Sequence, residues 1–343
     1  MTEIVYCTDS DANRWDEFLA ARPDSSFYHL FGWKELNERC FGHPCYYLAA
    51  QESGDVLGVL PLVYVKSRLF GKIMCSLPFV NYGGLCCRDP EVEELLLAEA
   101  RRLVEQLGAA YLEVRGTKKV AGNLLTSEHK VSMVLPLDPD PEVMWAGFKT
   151  KQRTEIRRAE RNELMVESGS GELLDPFYAV LAAGWRGHGT PIYRKDYFAA
   201  ILAAFPEQTR IFVVRHHGEP VAAAFNGSYR GSVEGMWLGI DPRYRRLNAN
   251  TFLYWEMIKD ACLNSMQLFH FGRSSVESGG EFFKKKWNAH PRQLYWQYIL
   301  GTARSMPRLN VDNPKYRLAI KLWRRMPLPL TTALGPRIAR SIP

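Results

Sequence analysis

The feature that most constrains this chain is the stretch at residues 269–287, which reads FHFGRSSVESGGEFFKKKW. An apolar run at 268–271 has the length and residue types of a β-strand, and Gly272 ends that run. Arg273 then stands at the predicted strand exit, where a charged side chain can point into a cleft. The serines and glycines at 274–280 predict a flexible polar loop.

The end of the stretch brings a lysine between aromatic residues. Phe282, Phe283 and Trp287 are expected to return the chain to apolar surroundings, with Lys284 held beside them. A guanidinium, a closely approaching backbone and a fixed ammonium group together favour an anionic ligand. The alternative interpretation is a surface hairpin loop with a solvated run of lysines.

The same residues resemble a family motif. The stretch is similar to the terminal motif of the FemAB-like branch of the GNAT acyltransferase superfamily. More narrowly, it resembles FemAB-like proteins associated with exosortase/PEP-CTERM exopolysaccharide systems, which carry F-G-R-S, a Gly/Ser loop, F-K and then W-G. Here these are Phe271 to Ser274, Phe283-Lys284 and Trp287. Asn288 replaces the family's glycine, and asparagine is the next most tolerant residue at positive φ.

The resemblance implies an α/β fold of two tandem GNAT-like (acyl-CoA N-acyltransferase) domains, with mixed central sheets flanked by helices. The length of 343 residues agrees with two domains. A strand, turn, strand, strand, helix, strand pattern also occurs in each half, which a duplicated unit would produce. We expect domains at 1–147 and 148–300, followed by a basic helical tail at 301–343 that docks back on the first domain.

In the first half, the candidate ligand-binding residues come from three motifs that match the family. An aromatic cluster at 25–33 ends in Trp33, whose indole has a polar edge. The motif P-F-x-N-Y-G-G supplies Asn81, Tyr82 and Gly83, where adjacent glycines allow either close ligand approach or a tight turn. The motif E-x-R supplies Arg115.

In the second half, the basic segment 149–161 resembles the family's K-x-R-x-x-I-R-R-A. Arg153 and Arg157 share a helix face with Lys149, and this face is either a phosphate-binding surface or a solvated helix. The family's G-T-P-x-Y supplies Thr190 and Tyr193, which line a cleft or form a structural turn. Ser274 belongs to the opening stretch and is a further candidate for substrate binding.

The expected cofactor loop precedes a helix at about 250–263. GNAT domains usually hold the pyrophosphate of acyl-CoA on a glycine-rich loop at a helix N-terminus. The loop at 245–250 lacks glycine, as it does in the FemAB-like branch, so a standard CoA site is in doubt. Arg245 and Arg246 are candidates for an anion contact, and Asn250 is the predicted N-cap.

Charge and cysteine usage narrow the class of protein. Residues 301–343 carry nine Lys or Arg and one Asp, so this tail has a net charge of +8. The whole chain has a net charge of +7, so residues 1–300 together carry −1. A field suited to nucleic acid over the whole protein is therefore not supported. Seven cysteines, two of them adjacent, do not suggest a disulfide framework. We expect a cytoplasmic protein without a metal. The basic amphipathic tail helix either docks or lies on the anionic inner face of the cytoplasmic membrane, and both hold if docking leaves its arginines exposed.

Taken together, the motifs predict an acyl- or aminoacyltransferase acting on an amine or hydroxyl acceptor in exopolysaccharide or cell-envelope biosynthesis. Lys284 and Arg273 are the candidate catalytic residues, because they can contact developing negative charge or donor phosphate. The expected co-substrate is acyl-CoA, acyl-carrier protein or aminoacyl-tRNA, with no tightly bound cofactor. The alternatives are a peptidoglycan-bridge aminoacyltransferase that uses tRNA, and a non-catalytic component at the membrane surface.

Overall fold

The computed structural model describes residues 1–67, 71–307 and 314–342, with the side chains of 314–316 excepted. The chain forms two compact units. Unit 1 comprises Met1–Ser132, Arg292–Arg308 and Arg340–Pro343, and unit 2 comprises Met133–Pro291 and Leu309–Ala339. The units are therefore interleaved along the chain. The domain bounds 1–147 and 148–300 stay a prediction.

The strands lie in the following order: β1 (Glu3–Tyr6), β2 (Leu48–Glu52), β3 (Asp55–Leu60), β4 (Val63–Ser67), β5 (Gly71–Cys75), β6 (Cys86–Cys87), β7 (Tyr111–Gly116), β8 (Leu125–Pro136), β9 (Leu164–Gly169), β10 (Thr209–His216), β11 (Glu219–Tyr229), β12 (Ser232–Ile240), β13 (Leu268–Ser275) and β14 (His290–Leu300). The α-helices are α1 (Ala12–Ala20), α2 (Trp33–Phe41), α3 (Pro90–Gln106), α4 (Pro141–Gly147), α5 (Thr150–Glu160), α6 (Leu174–His188), α7 (Lys195–Ala204), α8 (Ala249–Leu263), α9 (Gly279–Lys285), α10 (Pro314–Arg325) and α11 (Leu328–Ala339).

Unit 1 contains a sheet of order β1-β2-β3-β6 and a second run of strands, β4-β5-β7-β14. The second run is mixed, because β5 and β7 are parallel while β4–β5 and β7–β14 are antiparallel. Helix α3 packs on these strands through buried leucines, including Leu96 and Leu103. The sequence prediction for its start is confirmed: Asp89 accepts a hydrogen bond from the Val92 amide at 3.0 Å, and Pro90 is the first helical residue.

A buried ion pair fastens β7 to β14 within unit 1. The Arg115 guanidinium donates to Glu113 at 2.6 Å and lies 4.5 Å from the centre of the Trp296 ring. The other oxygen of Glu113 accepts the Tyr298 hydroxyl at 2.8 Å. Arg115 is only 2% exposed, so its charge is satisfied inside unit 1.

Unit 2 contains the strand order β13-β12-β11-β10-β9, flanked by helices that include α6 and α8. The pairs β9–β10, β10–β11 and β11–β12 are antiparallel, and the pair β12–β13 is parallel. The expectation of mixed sheets flanked by helices is confirmed. Helix α6 meets β12 backbone to backbone: a Cβ on Gly239 would lie 2.6 Å from the Leu181 Cα, and one on Gly184 would lie 2.8 Å from the Ile240 nitrogen. Glycine at both positions permits this contact.

Helices α10 and α11 of the tail pack on α6 within unit 2, while the last tail residues, Arg340–Pro343, belong to unit 1. The docking of the tail on the first domain stays a prediction. Ile320 of α10 lies against Gly189, at the end of α6. Arg186 donates a hydrogen bond to the Met326 carbonyl at 3.2 Å. Thr331 and Gly335 form the buried side of α11, and a Cβ on Gly335 would lie 2.9 Å from the Ile192 nitrogen. The small residues at the end of α6 and along α11 allow this close packing. Within the described ranges, no helix is long and apolar enough to cross a bilayer.

Replacement of Arg115 by alanine is expected to lower the free energy of unfolding by about 3 kcal/mol, because it leaves the buried Glu113 carboxylate without its cation. The matched control is Arg39→Ala, which removes an exposed pair with Glu35 and is expected to cost less than about 1 kcal/mol. Urea denaturation followed by circular dichroism measures both. Equal losses in the two variants would contradict a structural role for the buried pair.

Candidate functional site

The central feature of unit 2 is the divergence of its two parallel strands. β12 and β13 pair at three positions, and the last pair is Glu234 with His270. Beyond it β12 continues to Ile240 and β13 continues to Ser275, but the two are no longer paired. We name the opening between 235–240 and 271–275 the strand gap. Backbone groups along diverging strand edges are available to a ligand.

A glycine and a bulge mark the closed end of the strand gap. A Cβ on Gly235 would lie 3.0 Å from the His270 carbonyl oxygen, which is too close for a larger residue without adjustment. The register between β11 and β12 shifts at the same level, next to the pair of Asn226 with Gly235. The shift changes the direction of the β12 side chains at the level where β12 separates from β13.

Glu234 and His270 form a buried acid–base pair at this closed end. The His270 Nδ1 lies 3.6 Å from a Glu234 carboxylate oxygen, and both side chains are almost completely buried. Such a pair can accept and hold a proton. The amino-acid sequence alone does not reveal this pair, because only the parallel register of β12 and β13 brings the two residues together.

The N-terminus of α8 lies directly after β12. A short 3-10 helix, Pro242–Leu247, leads into it, and Asn248 takes a left-handed conformation with φ of 55° at the N-cap position. The predicted N-cap, Asn250, is instead half-buried in the first turn, because the helix begins at Ala249. Arg245 and Arg246 are both exposed on this loop, beside the positive end of the α8 dipole.

Two further elements hold the loop and add charge to it. At the end of α5, the Asn162 amide donates to the Leu247 carbonyl at 2.8 Å. At the end of α6, Arg324 of the tail donates to the His188 carbonyl at 3.1 Å. Burial lowers the pKa of His188, and the charges of Arg245 and Arg324 lower it further. The sequence identified the tail as basic, but it did not predict that the tail delivers Arg324 beside the loop.

Lys284 of α9 contacts the end of β13, the strand that forms one edge of the strand gap. Its ammonium group donates to the carbonyls of Gly272 at 2.9 Å and Arg273 at 3.2 Å, which uses two of its three protons. Burial lowers the pKa of Lys284 to about 8, and the charge of Arg273 adds to the shift. The third proton remains for a ligand.

The local structure around Lys284 differs from the predicted loop. β13 does not end at Gly272, which has φ of 75° inside the strand; Arg273 and the buried Ser274 are strand residues. Gly279 and Gly280 begin α9, which Ser278 caps by accepting the Glu281 amide at 3.3 Å. This cap turns the chain back, so that Lys284 reaches the β13 carbonyls.

The aromatic anchors of α9 are only partly as predicted. Phe283 lies 5.6 Å from the Tyr254 ring of α8, and Trp287 is fully buried against Phe148. Phe282 is 59% exposed and anchors nothing within the described chain. Asn288 does adopt the positive φ, 58°, that the family's glycine implied.

The candidate residues from the first half of the chain lie in unit 1. Trp33 belongs to its core, and Asn81 and Tyr82 contact Tyr28. Trp33 is fully buried and donates to the Phe27 carbonyl at 2.9 Å. The Asn81 amide donates to the Tyr28 hydroxyl at 2.9 Å, and the ring of the buried Tyr82 meets that of Tyr28 edge-on at 5.1 Å.

Gly83 and Arg115 also lie inside unit 1. The Gly83 amide donates to the Arg115 carbonyl at 3.1 Å, which pins the glycine turn to β7. The Arg115 side chain points into the ion pair with Glu113. In the structure, these residues stabilise unit 1.

The remaining candidates lie on α5 and in the loop between α6 and α7 of unit 2. On α5, Arg153 is half-buried, and the exposed Arg157 lies 5.3 Å from the Trp145 ring centre. Thr190 is exposed, and its amide donates to the Trp185 carbonyl at 2.9 Å. Tyr193 packs among aromatic rings that include Trp237 of β12, at 6.5 Å. Among the described residues, no cluster of His, Cys, Asp and Glu could hold a metal.

Part of this chain matches a known family model, and its fold is similar to that of solved structures. Residues 147–285 match the model of the acetyltransferase (GNAT) domain. The solved structure of FemX is similar over 93% of this chain and 100% of its own, with a TM-score of 0.64 and 14% identity. A tandem GNAT protein from the clavulanic acid biosynthesis pathway is similar over 89% of this chain and 100% of its own, with a TM-score of 0.57 and 11% identity. The expected fold of two tandem GNAT-like domains is confirmed.

A curated protein is similar in sequence to part of this chain. The lipid II:glycine glycyltransferase of Staphylococcus haemolyticus (strain JCSC1435) is 22% identical over 231 residues. The match covers 60% of this chain and 54% of the relative, so this chain spans about half the length of the curated protein it matches.

Replacement of Arg273 by glutamine is expected to raise the pKa of Lys284 above its value of about 8, because it removes the neighbouring positive charge. Nuclear magnetic resonance titration of lysine labelled at Cε measures this pKa directly. The control is Arg243→Gln, whose guanidinium pairs with Asp241, and it should leave the titration of Lys284 in place. An unchanged pKa in Arg273→Gln would show that the two cations do not interact.

Proposed function

We propose that this protein transfers an acyl or aminoacyl group to an amine or hydroxyl acceptor in cell-envelope biosynthesis. The observation that carries the proposal is the strand gap, with Lys284 and Arg273 on one side and the basic α8 loop at its open end. Such a gap can seat the extended arm of an activated acyl donor, since unpaired strand edges bind extended groups through backbone hydrogen bonds.

The donor carries phosphate in this proposal. The α8 N-terminus offers backbone N–H groups and a positive dipole, and Arg245, Arg246 and Arg324 add cationic side chains. The chemistry fits acyl-CoA, acyl-carrier protein and aminoacyl-tRNA alike. The missing glycines in this loop favour a binding mode in which arginine side chains replace part of the backbone cradle.

The chemical step is attack of the acceptor nitrogen or oxygen on the acyl carbonyl. A new C–N or C–O bond forms, the thioester or ester bond to the carrier breaks, and the acceptor loses a proton. The Lys284 ammonium stabilises the negative charge that develops on the carbonyl oxygen. Arg273 tunes the pKa of Lys284 and contacts the donor. The buried pair of Glu234 and His270 can receive the proton.

Two acceptors follow from two different observations. The F-G-R-S, F-K and P-F-x-N-Y-G-G motifs resemble those of exosortase/PEP-CTERM-associated proteins, which supports an acceptor in exopolysaccharide synthesis. The similarity to a lipid II:glycine glycyltransferase supports a peptidoglycan-bridge acceptor with aminoacyl-tRNA as donor. Transfer assays with both acceptor types decide between them. Loss of donor binding at raised salt would point to tRNA, whose binding depends steeply on ionic strength.

Lys284→Met is expected to lower kcat/KM by about a hundredfold, because one preorganised donor to the developing charge is lost. Lys286→Met is the matched control: it removes an exposed lysine two residues away and should leave activity unchanged. The measurement is transfer of radiolabelled acyl or aminoacyl groups from the donor that binds. Equal activity in the two variants would remove Lys284 from the mechanism.

The pH profile gives the same assay a second readout. The wild-type rate should fall as the pH rises through about 8, where Lys284 loses its proton. Lys284→Arg keeps its charge at all accessible pH, so any activity it retains should lack this fall. A fall near pH 8 in both proteins would assign it to another group.

A further inference from the structure

The two tail helices expose a surface that their packing on unit 2 does not use. α10 turns Ile320 and Trp323 inward, while Leu318 and Leu322 are 59% and 56% exposed. α11 turns Thr331 and Gly335 inward and leaves Leu330 and Leu334 exposed. We name this surface the tail face; it comprises Leu318, Leu322, Leu330 and Leu334 together with Arg317, Lys321, Arg325 and Arg337.

The charge of the tail face has one sign. Arg317, Lys321, Arg325 and Arg337 are all exposed, and the sequence from 314 to 343 contains no Asp or Glu. On α10, Leu318 and Leu322 are one turn apart, and Arg317 and Lys321 repeat beside them at the same spacing. Side chains of this kind place apolar groups among lipid tails and cations among phosphates.

We propose that the tail face binds the surface of an anionic lipid bilayer. Exposed leucines are costly in water and offer nothing to a nucleic acid, whereas arginine alone would serve any polyanion. The combination of both on two consecutive helices fits a lipid surface. Neither helix crosses the bilayer; each lies along it with the leucines buried at the headgroup boundary.

The docking of α10 gives this contact a consequence for the reaction. Arg324 anchors α10 at His188, beside the loop that carries Arg245. A bilayer bound to the tail face would therefore lie close to the basic end of the strand gap, where a lipid-linked acceptor could enter. This consequence rests on the proposed function, whereas bilayer binding does not.

The test is co-sedimentation of the full chain with vesicles of phosphatidylcholine alone or mixed with phosphatidylglycerol, without donor or acceptor. We expect binding to the mixed vesicles only. The double variant Leu318→Ser, Leu322→Ser should weaken binding about tenfold, because the apolar contact is lost. The triple variant Arg317→Gln, Lys321→Gln, Arg325→Gln should weaken vesicle binding about tenfold or more, because it removes three positive charges that attract anionic headgroups.

Matched controls separate the tail face from general stickiness. Met165→Ser with Leu263→Ser removes two exposed apolar residues elsewhere in unit 2. Lys151→Gln, Arg158→Gln and Lys286→Gln removes three exposed charges there. Both controls should bind like the wild type.

Three outcomes would overturn the proposal. They are no binding by the wild type, equal loss in controls and tail variants, and loss in the charge variant with none in the leucine variant. The last result would mark a site for a soluble polyanion. Because the assay contains no substrates, its failure leaves the transferase proposal standing.

Discussion

The parting of β12 from β13 is the constraint on which the rest of unit 2 depends. Two parallel strands that stop pairing at Glu234 and His270 leave backbone groups that need other partners. Gly235 allows the strands to meet closely at that last pair, and the adjacent bulge changes the direction of β12 beyond it. The same separation places the end of β12 and the start of α8 at the open side of the gap.

Positive charge collects at this opening from elements that are distant in sequence. The α8 N-terminus and Arg245 come from the loop after β12, and Arg324 comes from the tail. Lys284 of α9 and Arg273 form a second pair of cations at the end of β13. Burial lowers the pKa values of both His188 and Lys284. Neighbouring cations lower them further, Arg245 and Arg324 for His188 and Arg273 for Lys284. A bound anion would relieve this repulsion, which supports the proposal of a phosphate-bearing donor.

Short-range sequence preferences predict the bounds of helices and strands better than the contacts between them. The Asp89-Pro90 cap and the extent of α8 follow from short-range preferences, and both agree with the structure. The prediction of Asn250 as the N-cap is wrong by two residues, because Asn248 occupies the N-cap position in a left-handed conformation and α8 begins at Ala249. Gly272 was read as a strand end, although a glycine with positive φ can continue a strand when a lysine holds its carbonyl.

The site residues that sequence reasoning missed depend on long-range register. Glu234 and His270 are neighbours only because β12 and β13 pair in parallel, and Arg324 reaches His188 only because small residues at the end of α6 accept Ile320. A motif match predicts Arg115 as a ligand contact but does not reveal that Glu113, two residues away, pairs with it inside unit 1. The ligand contact stays a prediction.

The most direct test of the account is donor binding measured by calorimetry. Wild-type protein and Arg245→Gln, Arg246→Gln are titrated with acetyl-CoA, long-chain acyl-CoA, acyl-carrier protein and aminoacyl-tRNA at low and moderate salt. The account predicts saturable binding of one donor class, weakened about tenfold by the double substitution because two charge-assisted contacts to phosphate are lost. Absence of binding to every donor, or equal affinity in the variant, would contradict the strand gap as the donor site.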